Sequence, residues 1–305
     1  MAAQIRGTFT VMITPTRPDG SFDAEALRDF TDWQIREGIH GLVPLGSTGE
    51  FLSFSKEDRA EIARIVIDTA AGRVPVLIGT GAEDTREVVR LSREAEGLGA
   101  DGVMIIPPFY SSPTDDELFT HYDVIASAIS IPVMIYNNPA TANVDLKPPL
   151  VARLSEIDGV RYIKESTLEV TRIRDILRLC GDRMQVFGGI LGFESFVEGA
   201  IGWIAVASNV APAPLARLFE LVEERKIDEA RALYLHWLPV IEAVGGPRYV
   251  AGTKSLLNHM GLAAGAPLPP RLPLPTADDA AMKSLVEQMG LRFPKAHAER
   301  VQAGG

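Results

Sequence analysis

Lys164 interrupts a largely β-branched and apolar stretch, Val160-Arg161-Tyr162-Ile163-Lys164-Glu165-Ser166-Thr167. A cation near the C-terminal end of such a strand is poorly hydrated. Its pKa then falls below the usual value of about 10.4, and the free amine becomes nucleophilic. Proteins prepare a lysine in this way to form a Schiff base with a carbonyl compound. Taken alone, a strand lysine more often reaches solvent or pairs with a carboxylate. The other residues with chemical potential decide between these readings. Ser47 and Thr48 lie in Gly46-Ser47-Thr48-Gly49-Glu50, where hydroxyls and backbone N–H groups between glycines can bind a carboxylate without a cation. Tyr110 ends Pro107-Pro108-Phe109-Tyr110, and Tyr136 opens Tyr136-Asn137-Asn138-Pro139. A phenol beside a Schiff-base lysine can shuttle protons during imine formation and carbon–carbon cleavage. Gly188-Gly189 follows another apolar run and would leave room for a substrate.

These residues need a scaffold that brings them to one place. Eight short strand patterns run along the chain: Thr8–Thr14, Gly41–Leu45, Val74–Gly79, Gly102–Ile106, Pro132–Asn137, Val160–Lys164, Met184–Phe187 and Trp203–Ala207. Amphipathic helical stretches lie between them, among them Ala24–Glu37, Lys56–Ala71, Thr85–Leu98, Asp116–Ile129 and Thr171–Leu179. Asp23, Ser55 and Asp84 are placed to cap three of these helices. Eight β-then-α units in about 210 residues predict an α/β fold, a (β/α)8 TIM barrel of parallel strands. An open doubly wound sheet would show a glycine-rich loop after its first strand, and this chain has Thr14-Pro15-Thr16 there instead. In a barrel the reactive groups lie at the C-terminal ends of the strands. Ser47, Thr48, Tyr110, Tyr136, Lys164 and the glycine pair all fall at such ends.

Beyond the barrel, expected to span residues 1–212, residues 213–305 read as additional C-terminal helices packed on it. Pro214–Arg225, Asp228–Val244, Tyr249–Met260 and Ala277–Met289 have helical spacing. Pro214 suits a first turn, whereas Pro239 should kink its helix or end it early. Five prolines within Ala266–Pro275 predict an extended connector, and residues after Phe293 a frayed tail.

The 305 residues carry 46% hydrophobic and 23% charged side chains, enough for a substantial core. The net charge of −10 argues against nucleic acid or an anionic membrane as the main partner. The single cysteine, Cys180, excludes an internal disulfide and suits a buried helix position. With no apolar stretch of signal-peptide or membrane-span length, the protein is expected in the cytoplasm. The five histidines are scattered, so no metal is expected, and the lysine chemistry calls for no cofactor.

The Gly-Ser-Thr-Gly-Glu, Tyr-Asn-x-Pro and Tyr-Ile-Lys-Glu patterns, in this order, resemble the dihydrodipicolinate synthase / N-acetylneuraminate lyase family of class I lyases and aldolases. The resemblance covers nearly the whole chain. It implies that Lys164 forms the imine with pyruvate or another 2-oxo acid and that Tyr136 is the general acid/base. Ser47 and Thr48 would bind the substrate carboxylate and link a proton relay. Tyr110 matches an aromatic residue that the synthases lend across a subunit interface, and Ile204 one whose backbone carbonyl faces the keto acid. A homotetramer built as a dimer of dimers is implied. One position departs. The synthases carry an arginine two residues beyond the proline matching Pro139, where it holds the carboxylate of aspartate semialdehyde; here Thr141 takes its place. Losing a bidentate clamp should weaken use of that substrate. Thr141 does not match a sialic acid lyase either. The leading expectation is therefore a Schiff-base lyase acting on a short 2-oxo acid, by aldol cleavage or condensation, dehydration or deamination. The alternatives are a 4-hydroxy-tetrahydrodipicolinate synthase and, from a different class, a non-catalytic keto-acid sensor.

Overall fold

A computed structural model describes residues 5–294. Eight parallel strands alternate with helices: β1 (Gly7–Val11), α1 (Ala24–Arg36), β2 (Gly41–Val43), α2 (Lys56–Ala70), β3 (Leu77–Gly79), α3 (Thr85–Gly97), β4 (Gly102–Ile105), α4 (Asp115–Ala126), β5 (Val133–Asn137), α5 (Pro148–Leu154), β6 (Val160–Glu165), α6 (Thr171–Cys180), β7 (Gln185–Gly188), α7 (Phe193–Val197), β8 (Gly202–Ala205) and α8 (Pro212–Glu223). The sheet runs β2-β1-β8-β7-β6-β5-β4-β3. A parallel bridge between Leu42 and Val76, with the Leu42 and Gly79 N–H groups donating to the Pro75 and Pro44 carbonyls, joins its two edges. The predicted (β/α)8 barrel is the fold.

Strand alternation sorts the side chains into two cores. Phe9, Val11, Val43, Leu77, Met104, Met134, Tyr136, Phe187 and Ile204 fill the barrel interior. Val103, Ile105, Val133, Ile135, Ile163 and Val186 point outward and pack beneath the helices. Phe9 and Phe187 meet edge to face at 5.4 Å in the interior. Their bulk fits because neighbouring strands carry glycine. A Cβ at Gly41 would lie 2.3 Å from the Phe9 ring, and one at Gly202 only 2.1 Å from that of Phe187.

The helices begin where their side chains satisfy free N–H groups. Asp23, Ser55 and Asp84 cap α1, α2 and α3 through backbone N–H bonds, and Thr114 with Glu117 forms a reciprocal capping box on α4. Two helices fall outside the stretches picked out from the sequence. α5 is short and begins Pro148-Pro149, and α7 has five residues, so neither shows enough periodicity to register.

Three helices follow the ring: α9 (Ile227–Ala243), α10 (Tyr249–Met260) and α11 (Thr276–Met289). The helix expected from Pro214 to open the appendage is instead the barrel's own eighth. It follows β8 and packs on β1, where the Thr8 hydroxyl donates to the Leu215 carbonyl at 2.7 Å. The helices beyond the eight strand–helix units start at Ile227. Pro239 does not end its helix, since α9 continues to Ala243. Tyr234 stacks on Phe193 of α7, and Phe293 meets Trp33 of α1 at 5.1 Å, so the added helices share the barrel's outer core. The proline-rich connector of residues 266–275 is non-helical, as expected, and the tail beyond residue 294 lies outside the described residues.

Candidate active site

β5 and β6 pair in a register that sets Tyr136 opposite Lys164 and Asn137 opposite Glu165. Alternation turns Tyr136 into the barrel and Asn137 and Glu165 out of it. The outward pair forms a buried brace. Asn137 Nδ2 donates to Glu165 at 2.9 Å, and the same side chain's Oδ1 accepts the Leu146 N–H at 2.9 Å. Glu165 also accepts the Thr167 N–H, while Arg172 holds Asp145 through two bonds. These contacts fix the strand ends carrying the inward pair. No local sequence pattern marks this brace.

Lys164 is 5% exposed, and its Nζ lies 4.0 Å from the centre of the Tyr136 ring. Burial lowers its pKa to about 7, so the amine is half deprotonated near neutrality. The Tyr136 phenol is also buried and accepts a 2.8 Å bond from Asn138 Nδ2. Burial raises its pKa, while Asn138, Ser166 and Ser47 act in the opposite direction. The phenol therefore keeps its proton at neutral pH. Ser166 and Asn138 were not singled out in sequence; their signal was adjacency to the lysine and the tyrosine.

The Gly46–Glu50 segment is a tight turn bracketed by Leu45 and Glu50, both at positive φ. Non-glycine residues are rare in that region, and such strain gathers at sites where geometry is over-determined. A 3₁₀ turn at Phe51–Ser53 separates this segment from α2, so the anion donors expected here belong to the turn itself. The Ser47 and Thr48 N–H groups have no acceptor among the described residues. Gly49, expected among the substrate-binding residues, is engaged within the turn. Its N–H donates to Gly46, its carbonyl accepts the Thr14 hydroxyl, and a Cβ there would lie 2.9 Å from the Met12 carbonyl oxygen. It shapes the turn.

Gly188 and Gly189, expected to leave room for substrate, sit against two serines. A Cβ at Gly189 would fall 1.7 Å from Ser166 Oγ, and one at Gly188 2.4 Å from Ser195 Oγ. The two hydroxyls therefore pack directly against the glycine backbone. Ile204 is fully buried in the barrel interior on β8. Thr141 is exposed beyond β5 and lines a cavity of 140 Å³ with Ser47, Phe109, Tyr249 and Arg271. Tyr110 is not gathered into this cluster. It is 86% exposed, on a loop whose Phe109, Tyr110 and Ser111 N–H groups all donate to Glu83.

The turn is anchored from the far end of the chain. Glu50 is buried and pairs with the equally buried Lys254 of α10 at 2.7 Å. Its other oxygen accepts the Leu268 N–H at 2.7 Å. Elsewhere Cys180 is buried, and Arg161 turns outward to Asp158. Among the described residues no cluster of histidine, cysteine and carboxylates is arranged to hold a metal, and no helix is long and apolar enough to cross a membrane.

A closed parallel barrel with a desolvated lysine and a phenol at one rim defines the class of protein: an α/β-barrel enzyme equipped for lysine-based covalent chemistry. The dihydrodipicolinate synthetase family model matches residues 4–289. The 4-hydroxy-tetrahydrodipicolinate synthase of Pelobacter propionicus is 36% identical over 288 residues, spanning 94% of this chain and 99% of its own. That of Syntrophobacter fumaroxidans is 37% identical over 271 residues, spanning 88% and 92%. Among solved structures, the Acinetobacter baumannii dihydrodipicolinate synthase complexed with pyruvate superposes with a TM-score of 0.92 at 29% identity, covering 94% of this chain and all of that one. The prophage protein YagE of E. coli K12, also in complex with pyruvate, gives 0.89 at 30%, covering 95% and 100%. The chain belongs to the dihydrodipicolinate synthetase family. It is an enzyme of the class I lyase and synthase type.

Proposed function

We propose that this enzyme makes and breaks bonds next to the carbonyl of a short 2-oxo acid, pyruvate being the simplest, through an imine on Lys164. The observation that carries this reading is the buried amine lying over the Tyr136 ring. As the free amine, Lys164 Nζ attacks the C2 carbonyl, and uptake of one proton with loss of water leaves a cationic C=N bond. That nitrogen draws electrons from C3, so a C3 proton or substituent can depart and an enamine can form. The enamine can in turn add to an aldehyde. Tyr136, protonated at neutral pH, gives and takes the protons these steps require. The Ser47 and Thr48 N–H groups and hydroxyls would hold the C1 carboxylate, with Ser47 passing protons to Tyr136. Ile204 would border the bound keto acid through its backbone. The exposure of Tyr110 and Leu52 supports a homotetramer in which the tyrosine of one subunit completes a neighbour's site; a monomer mass by light scattering would contradict that assembly. The cytoplasm is the compartment this reading assigns.

Borohydride reduction in the presence of pyruvate, followed by peptide mass mapping, tests the reading. We expect one adduct, on Lys164, that disappears in Lys164→Ala. An adduct that survives in this variant refutes the role of Lys164.

A second reading is favoured by the names of the relatives: a 4-hydroxy-tetrahydrodipicolinate synthase condensing pyruvate with aspartate semialdehyde. Thr141, exposed where the motif comparison placed an arginine, weighs against it. Turnover of that pair at a rate typical of metabolic enzymes would establish the second reading.

A further inference from the structure

The cavity beside Thr141 has a cationic wall that no strand of the barrel supplies. Arg271 comes from the proline-rich connector after α10, and with Tyr249, Phe109, Ser47 and Thr141 it lines the 140 Å³ space at the barrel rim. Among the described residues no carboxylate lies within ion-pair distance of its guanidinium; the Tyr249 phenol is its close polar neighbour. Glu50, which borders the same cavity, already has its charge matched by Lys254 at 2.7 Å.

The connector is held in position despite its distance in sequence. Glu50 accepts the Leu268 N–H, Lys254 Nζ donates to the Ala266 carbonyl at 3.0 Å, and the Arg271 N–H donates to Leu268 at 3.1 Å. Pro267, Pro269 and Pro270 limit the backbone freedom of the same stretch. The Glu50–Lys254 pair thus ties the Arg271 segment to the turn that carries Ser47 and Thr48.

Resting on the imine reading above, we infer that Arg271 is a specificity-determining residue that binds an anionic group at the far end of the reacting molecule, with Tyr249 and Thr141 as its neutral polar partners. A guanidinium suits a planar carboxylate because its N–H groups match both oxygens. Thr141 is then not a lost function. With a short hydroxyl on the β5 side, the cavity stays open to a cation that arrives from the C-terminal segment. The enzyme should accordingly prefer 2-oxo acids, or aldehyde partners, that carry a second carboxylate.

The test compares imine formation by 2-oxoglutarate and 2-oxoadipate with that by 2-oxopentanoate and 2-oxohexanoate, their neutral-ended counterparts of equal length. Trapping with cyanoborohydride and intact-mass measurement give the apparent affinity of each. The wild type should prefer a diacid, and Arg271→Ala should reduce that preference by about 10- to 100-fold, the worth of a hydrogen-bonded charge. Arg271→Lys should retain part of it. Pyruvate, which has no distal group, is trapped in parallel to report Lys164 and correct folding in every protein. If the wild type shows no preference, or Arg271→Ala keeps the full preference while pyruvate is still trapped, the Arg271 subsite is wrong and the lysine chemistry stands. If the wild type fails to trap pyruvate, the imine reading falls and takes the subsite with it.

Discussion

An ammonium at Lys164 would stand in the barrel interior with burial opposing its charge, and burial alone accounts for its lowered pKa. The pH dependence follows with a definite sign. Below about 7 the amine is protonated and cannot attack; above it the nucleophile is fully available. Pyruvate trapping at limiting concentration should therefore rise as pH increases through about 7 and level off beyond it. A profile that rises only near 10 would show an ordinary, hydrated lysine. Tyr136→Phe keeps the ring beneath the amine and removes the proton donor. It should lower turnover about 10²-fold or more, with the circular dichroism spectrum and the Lys164 titration little changed. At this scale the sequence was informative where one residue type is chemically out of place, as with a lysine in a β-branched strand. Asn138, Ser166 and Arg271 carried no such mark, because an amide, a hydroxyl and a surface arginine are ordinary in any loop. For Gly188 and Gly189 the packing reason was equally out of view. A glycine shows that space is needed, but only packing shows that Ser195 and Ser166 take it.

The elements that aim these groups are held by buried polar contacts rather than by the strands alone. β5 and β6 are braced outside the barrel by Asn137 and Glu165, and the Gly46–Glu50 turn is tied through Glu50 to α10 and the connector. Lys254 is 1% exposed and also donates to the Thr16 hydroxyl at 3.1 Å. Lys254→Met should destabilise the protein by about 3–5 kcal/mol, because Glu50 would be left charged and unpaired. Adding Glu50→Gln should recover part of that loss in chemical denaturation, and purely additive losses would contradict a coupled pair. The connector itself was visible in sequence as a run of prolines, but its role was not. Which residues it touches depends on a contact spanning more than two hundred positions, beyond any local pattern. The positions of α1 to α3 were legible because capping residues and apolar periodicity agree there. α5 and α7 were not, being too short to complete a pattern.

For the molecule as a whole, eight repeats of strand and helix made the barrel readable, since few other folds accommodate eight buried parallel strands. What the repeats did not mark was where the barrel ends, because α8 and the three helices after it share the same amphipathic character. Closure of the ring matters for the chemistry. It buries Lys164 with Tyr136 beside it, while Ser47 and Arg271 line the cavity at the rim. The most direct measurement is a crystal structure determined with pyruvate. We expect continuous density from Lys164 Nζ to C2 of the ligand, with the carboxylate on the Ser47 and Thr48 N–H groups and the Tyr136 hydroxyl facing the new bond. Pyruvate bound elsewhere, or lying in the barrel with the Lys164 amine unmodified and out of bonding reach, would contradict the account.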